Sequence, residues 1–217
     1  HTKFKCYMID DLSTDNSVDI IKKITKDDNR FTLVRNKNKK YALGNIVETL
    51  LGNCKDPEEV NILLDGDDWF SSSSSLSYLD KTYNKSGCLM TYGSYVYFPN
   101  GNKGIEPSEY SHETIENNSF RQDTWRASHL RTFKTKLWNH VSLGDLKESK
   151  NQYYTVAYDQ ALMLPLLELA GHKSKYIDKV MHVYNRQNPL NVDKVKQKKQ
   201  YETAQLIRSK KPYKRKF

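Results

Sequence analysis

The densest chemistry in this 217-residue chain lies in five consecutive residues, Asp65-Gly66-Asp67-Asp68-Trp69. They follow Asn61-Ile62-Leu63-Leu64, a short apolar run that reads as a buried strand ending in acids. Three carboxylates there repel one another, and charges near a core are seldom left unpaired. A cation relieves the repulsion. Hard divalent ions such as Mg²⁺ and Mn²⁺ prefer carboxylate oxygens and need no complete protein cage. Asp67 is the first candidate ligand, with Asp65 and Asp68 beside it. Gly66 would allow the tight turn, and a solvated turn is the alternative use of the same residues. A second acidic strand end, Asp10-Asp11, follows Phe4–Ile9 and precedes Ser13-Thr14-Asp15. Taken alone, these two acids could serve only to cap the following helix.

Several elements must bring the two acidic ends to one place. Residues 4–10 read as a strand, and Val18, Ile21 and Ile24 follow at helical spacing. Phe31–Val34 is a short strand, and Ala42, Ile46, Val47, Leu50 and Leu51 form one helical face. Ser75, Leu76, Leu79 and Tyr83 begin another helix, and Cys88–Phe98 reads as a strand. Residues 158–170 predict a helix kinked at Pro165 and stopped at Gly171, with a last strand over Tyr176–Tyr184. Strands alternating with helices predict an α/β fold with a mostly parallel sheet covered on both faces. Ligands of such sheets bind beyond the carboxyl ends of the strands. Residues 99–124 lack a sustained period, so they are either disordered or a functional loop, such as a lid over a bound ligand.

The length suits one domain. The net charge of +9 is unevenly placed: residues 193–217 hold ten Lys/Arg against two Asp/Glu. The reading is therefore a near-neutral domain over 1–192 and a basic, helical C-terminal tail over 193–217. The tail is a solvated face or a contact for an anionic partner. No apolar run is long enough to span a bilayer, and no hydrophobic signal segment opens the chain. Cys6, Cys54 and Cys88 match no zinc spacing and read as free thiols in a reducing compartment, consistent with a cytoplasmic setting.

Together the two acidic motifs resemble the inverting glycosyltransferases of family 2, which have a GT-A-type fold. In that family the first acids, here Asp10 and Asp11, contact the uracil and ribose of the nucleotide. Leu12 stands where Gly is usual. Asp65-Gly66-Asp67 resembles the family's Asp-x-Asp metal motif, which implies Asp67 on Mn²⁺ or Mg²⁺ and Asp65 on the ribose or a metal-bound water. Asn36–Asn45 resembles an Asn-x-Gly…Ala-Arg-Asn segment, which implies Asn38 and Asn45 near the nucleotide. Lys40 replaces its Gly and Gly44 its Arg. Tyr158-Asp159-Gln160 resembles the acidic pair that supplies the catalytic base, with Asp159 the acid present. As a plain alternative, Asp159 is an acid stabilised by a helix N-terminus.

The resemblance further implies that Arg126 and His129 border the acceptor and the diphosphate. It also implies that His182, late in the last strand, is a third metal ligand or, with Arg186, a phosphate contact. The expected activity is transfer of a sugar from a UDP-sugar to a hydroxyl acceptor. The competing functions are a non-catalytic nucleotide-sugar-binding module and a polymerase built on Gly66-Asp67-Asp68. The family normally places a strand and helix before the first acids, so an upstream segment is expected in the natural gene. The Lys-, Asn- and Ile-rich wording resembles proteins of large DNA viruses, some of which glycosylate collagen-like hydroxylysine. A host-cytoplasm or virion setting and such an acceptor are expectations from that likeness.

Overall fold

The computed structural model describes residues 3–149, 152–189 and 195–217. The boundary expected at 192/193 lies outside the described residues. In chain order the elements begin with β1 (Cys6–Asp10), α1 (Ser17–Thr25), β2 (Phe31–Arg35) and α2 (Tyr41–Asn53). They continue with β3 (Val60–Leu63), β4 (Trp69–Phe70), α3 (Ser75–Ser86), β5 (Met90–Phe98) and α4 (His112–Glu116). Next come β6 (Arg131–Lys134), α5 (Thr135–Trp138), β7 (Lys147–Ser149) and β8 (Gln152–Tyr153). The last are α6 (Tyr158–Ala170), β9 (Ser174–Asn185) and α7 (Gln197–Ser209).

The fold is α/β, as the alternating pattern predicts, but strand pairing is mixed where a mostly parallel sheet was expected. Five strands form the main sheet in the order β3-β6-β5-β9-β4. Only the β5–β9 pairing in it is parallel; β3–β6, β5–β6 and β4–β9 are antiparallel. The parallel pair β1–β2 forms a separate ladder. At Gly93, β5 passes so close to β9 that an added Cβ would lie 2.7 Å from the Ile177 carbonyl oxygen, and the register shifts beside it.

The core lies between the main sheet and α6. Every residue from Ala161 to Ala170 is buried, and the helix continues through Pro165 to Gly171, whose φ is +52°. Burial of Leu162, Leu164, Leu166 and Leu167 against Met90, Phe133 and Leu137 stabilises by roughly 1.5–3 kcal/mol per side chain.

Two irregular segments are tied to the core. Residues 99–124 are anchored at points along an otherwise largely exposed path: Tyr110 and Phe120 are buried, and Arg121 makes a bidentate pair with Glu168 of α6 at 2.6 and 2.9 Å, while Ile105 is exposed. The described part of the tail is docked as well as solvated. Ala204 and Ile207 of α7 are buried, and Arg208 donates to the Arg121 and Asp123 carbonyls. The backbone N–H groups of Lys216 and Phe217 donate to the Leu169 carbonyl. The three cysteines are free, with Cys88 buried and Cys6 and Cys54 half-buried. No helix among the described residues is long and apolar enough to cross a membrane.

Candidate active site

The acidic run folds as a turn between β3 and β4, with the Asp68 N–H donating to the Asp65 carbonyl at 3.1 Å. Gly66 is not needed for tightness, because a Cβ there would meet no atom within 4 Å and its φ is not left-handed. β6 runs antiparallel to β3 and puts Arg131 opposite Leu63. β9 runs antiparallel to β4 and puts His182 opposite Phe70. The N-terminus of α6 then brings Tyr158 and Asp159 against the same turn.

These elements join in one network. The Tyr158 hydroxyl lies 2.8 and 3.0 Å from the two Asp65 carboxylate oxygens. Arg131 Nη2 is 3.5 Å from Asp65, 3.3 Å from the Tyr158 hydroxyl and 3.3 Å from His129 Nδ1. His129 stacks on His182 with centroids 4.4 Å apart. His182 Nε2 lies 2.8 Å from Asp68 Oδ2, and the Asn185 N–H donates to Asp68 Oδ1 at 2.8 Å. Asp67 accepts from Asn188 Nδ2 at 2.6 Å.

Burial and charge tune this network. Burial pushes the Asp159 carboxyl above its usual range; Arg131 pulls against that shift, while Asp65 adds to it. Burial, then the Arg131 and His182 charges, hold His129 well below the ordinary imidazole value, so it is neutral near pH 7. Burial would lower the Arg131 guanidinium, but Tyr158, Asp65 and Asp159 outweigh it and raise it. A permanent cation therefore sits among Asp65, Asp159 and two aromatic rings.

The residues present fit a divalent cation. His182 Nδ1 is buried and has no hydrogen-bond partner among the described residues, while its other nitrogen is spent on Asp68. A carboxylate that holds one imidazole nitrogen and leaves the other facing a cation is a common arrangement in metal sites. Asp68, His129 and His182 offer ligand atoms within 4.8 Å of one another, and Asp67 precedes Asp68 on the same turn. Mixed imidazole and carboxylate donors suit Mn²⁺ better than Mg²⁺.

The second acidic end lies at the tip of β1. Asp10 is buried and accepts from the Ser13 N–H at 3.0 Å, with Arg35 Nε at 3.7 Å. Asp11 does not cap α1. It accepts the N–H groups of Lys40 and Tyr41, each at 2.9 Å, and so caps α2 from across the ladder. Asn36 Nδ2 bridges Asp11 and the Asn45 side chain, both at 2.7 Å. Asn38, expected near the nucleotide, is exposed two residues further on. Leu12, where a glycine is usual, has φ +69°, and Tyr41 and Ala157 beside the two sites are also left-handed at +59° and +49°. Strained backbone of this kind gathers at functional sites.

Of the residues picked from sequence, Asp65, Asp68, His129 and His182 come together in one network, with Asp67 on the same turn and Asp159 in the field of Arg131. Asp10, Asp11 and Asn45 form the other end. Arg126 joins neither: it pairs with Asp123 at 3.2 Å and donates to Ser108 Oγ at 2.7 Å. Arg131 and Tyr158 were missed as the residues that hold Asp65. The signal for Arg131 was its place at the start of a strand only two residues after His129.

A mixed sheet with acids beyond two strand ends, backed by a buried helix, is the architecture of GT-A glycosyltransferases. The family model "Glycosyl transferase family 2" matches residues 1–141, and the chain belongs to that family. Among solved structures it is similar to TarS 1-349 from S. aureus in complex with UDP-GlcNAc, with TM-score 0.66 at 14% identity, over 95% of this chain and 57% of that one. It is also similar to the mannosyltransferase PcManGT from Pyrobaculum calidifontis in complex with GDP-Man and Mn²⁺, with TM-score 0.57 at 14% identity, over 96% and 56% of the two chains. The chain thus spans little more than half the length of these structures. No curated protein matches it.

Proposed function

We propose that the chain transfers a sugar from a UDP-sugar to a hydroxyl acceptor, with divalent-metal dependence and inversion at the anomeric carbon. The observation that carries this reading is the buried network from Asp65 through Tyr158, Arg131, His129 and His182 to Asp68, with Asp159 beside it.

Asp67 and His182 Nδ1 would hold the cation, Mn²⁺ or Mg²⁺, with Asp68 orienting the imidazole. When bound, the cation supplies Lewis acidity against the charge that grows on the leaving diphosphate. Asp10, Asn36 and Asn45 form the nucleotide end, where Asp11 fixes the start of α2. Asp65 is held by Tyr158 and Arg131 and so is pre-oriented towards the donor ribose. Asp159 takes the acceptor hydroxyl proton on its carboxylate. Its raised value brings it nearer the working pH, which favours general-base action. Arg131 keeps Asp65 and Asp159 from repelling one another. Attack from the side opposite the diphosphate inverts the sugar carbon.

The test is nucleotide release with Mn²⁺ and a panel of UDP- and GDP-sugars, read with and without Asp67→Ala. Release from a UDP-sugar that Asp67→Ala abolishes supports the proposal. Release from GDP-sugars alone would move the donor to a guanine nucleotide. Binding without release from a folded chain would make it a nucleotide-sugar-binding module. For the acceptor, simple sugars are set against a collagen-like peptide bearing hydroxylysine.

A further inference from the structure

A second group of metal-ligand side chains lies outside the acidic network. His112 and Glu116 stand one helical turn apart on α4, whose N-terminus is capped by Ser111 Oγ accepting the Thr114 N–H at 3.0 Å. His172 comes from the turn Gly171–Lys173 that leads into β9. His172 Nε2 lies 2.5 Å from Glu116 Oε1, and His112 Nε2 lies 3.7 Å from the same oxygen. The two imidazole rings are 5.4 Å apart. One ligand atom from each residue falls within 4.8 Å of the other two.

Ordinary surface pairing accounts poorly for this arrangement. Glu116 already has a permanent cation close by, with Arg215 Nη1 3.8 Å from Oε2. A carboxylate so placed needs no imidazole, yet two converge on its other oxygen. Zinc bonds of about 2.0–2.2 Å in a tetrahedral site put ligand atoms roughly 3.3 Å apart. The observed separations of 2.5 and 3.7 Å bracket that spacing, so small side-chain rotations would complete it. Two imidazoles and one carboxylate suit zinc-class ions. Asp68, His129 and His182 offer the same donor types, so substitutions at His112 and His172 are what tell the two sites apart.

We propose that His112, Glu116 and His172 bind one zinc-class divalent cation, with water completing the coordination. Binding exchanges the His172–Glu116 hydrogen bond for two metal bonds, and each imidazole presents its Nε2 lone pair with its proton on Nδ1. The cation staples α4, within residues 99–124, to the turn ahead of β9. Its role is to hold that segment onto the main sheet, and it is independent of sugar transfer.

The test is Zn²⁺ uptake by the tag-free chain, measured by equilibrium dialysis with excess Mn²⁺ present; the two histidine variants tell uptake here from uptake at the acidic turn. Co²⁺ titration followed by visible absorption serves as a second readout. The expected result is one Zn²⁺ equivalent that His172→Ala and His112→Ala each weaken by about tenfold or more, since even loss of an outer partner costs that much. Co²⁺ ligand-field bands should appear in the wild type and fade in both variants. The side chains are exposed, so the variants keep the fold. Equal uptake by wild type and His172→Ala would overturn the proposal, as would a wild type that takes up no Zn²⁺ under Mn²⁺.

Discussion

The two ends of the site are held by different means. At the nucleotide end, β1, α1 and β2 bury almost nothing: Val18 is the only apolar residue of these elements in the core, while Ile20 and Ile24 are 54% and 74% exposed. Hydrogen bonds accepted by Asp10 and Asp11 and donated by Asn36 hold that end together. At the transfer end, α6 and β5 are buried along most of their length, and Arg131 and His182 lie in the same dense packing. Packing fixes geometry more rigidly than exposed hydrogen bonds do, because tight interiors leave little room for side chains to move. The difference suits the roles proposed for the two ends: chemistry needs fixed groups, whereas nucleotide capture tolerates an end that adjusts.

The comparison breaks most sharply by removing one partner from each region. Glu168→Ala strips Arg121 of its fully buried counter-charge and should cost about 3–5 kcal/mol in urea unfolding. Asp11→Ala removes two backbone contacts at the start of α2 and should cost only about 0.5–2 kcal/mol. Equal losses would mean that the ladder is held as firmly as the core. Amide exchange sharpens the same point: protection should be highest in α6 and β5 and lowest in α1.

Acid should also act on the two ends unequally. Hydrogen bonds from Ser13, against the cost of burial, hold the Asp10 carboxyl below its usual range. Burial alone would raise Asp11, but the Lys40 and Tyr41 N–H groups and Asn36 lower it. A carboxyl lowered on folding stabilises the fold above its unfolded value of about 3.9, and that contribution is lost as pH falls through the folded value. Exchange in β1 and the start of α2 should therefore accelerate below about pH 4, before exchange in α6 does. Unchanged relative protection from pH 5 to pH 3 would count against it. The smallest effect is expected at Leu12: its left-handed backbone costs roughly 1–2 kcal/mol, so Leu12→Gly should be neutral or stabilising by about 1 kcal/mol, read as a shift in the unfolding midpoint.

Much of this arrangement was legible from residue order. A strand that runs into acids announces itself twice, at Asp10 and at Asp65, and helical spacing marked most of the helices. What was hidden is side-chain direction across strands. Arg126 and Arg131 look alike in sequence, but only the β3–β6 register turns Arg131 towards Asp65. Tyr158 looked like a neighbour of the proposed base, and its hydroxyl proves to be the direct partner of Asp65. Asn36, two positions before Asn38, gave no signal in the sequence of its bridge between Asp11 and Asn45. The tail's charge concealed the few apolar residues of α7 that dock it.

The central claim is that the network around Asp65 and Arg131 is a sugar-transfer site with Asp159 as its base. The measurement that tests it most directly is nucleotide release by Asp159→Asn beside donor binding by calorimetry. The account predicts wild-type donor affinity with release slowed by about 10²- to 10⁴-fold. Release at the wild-type rate from Asp159→Asn would contradict it.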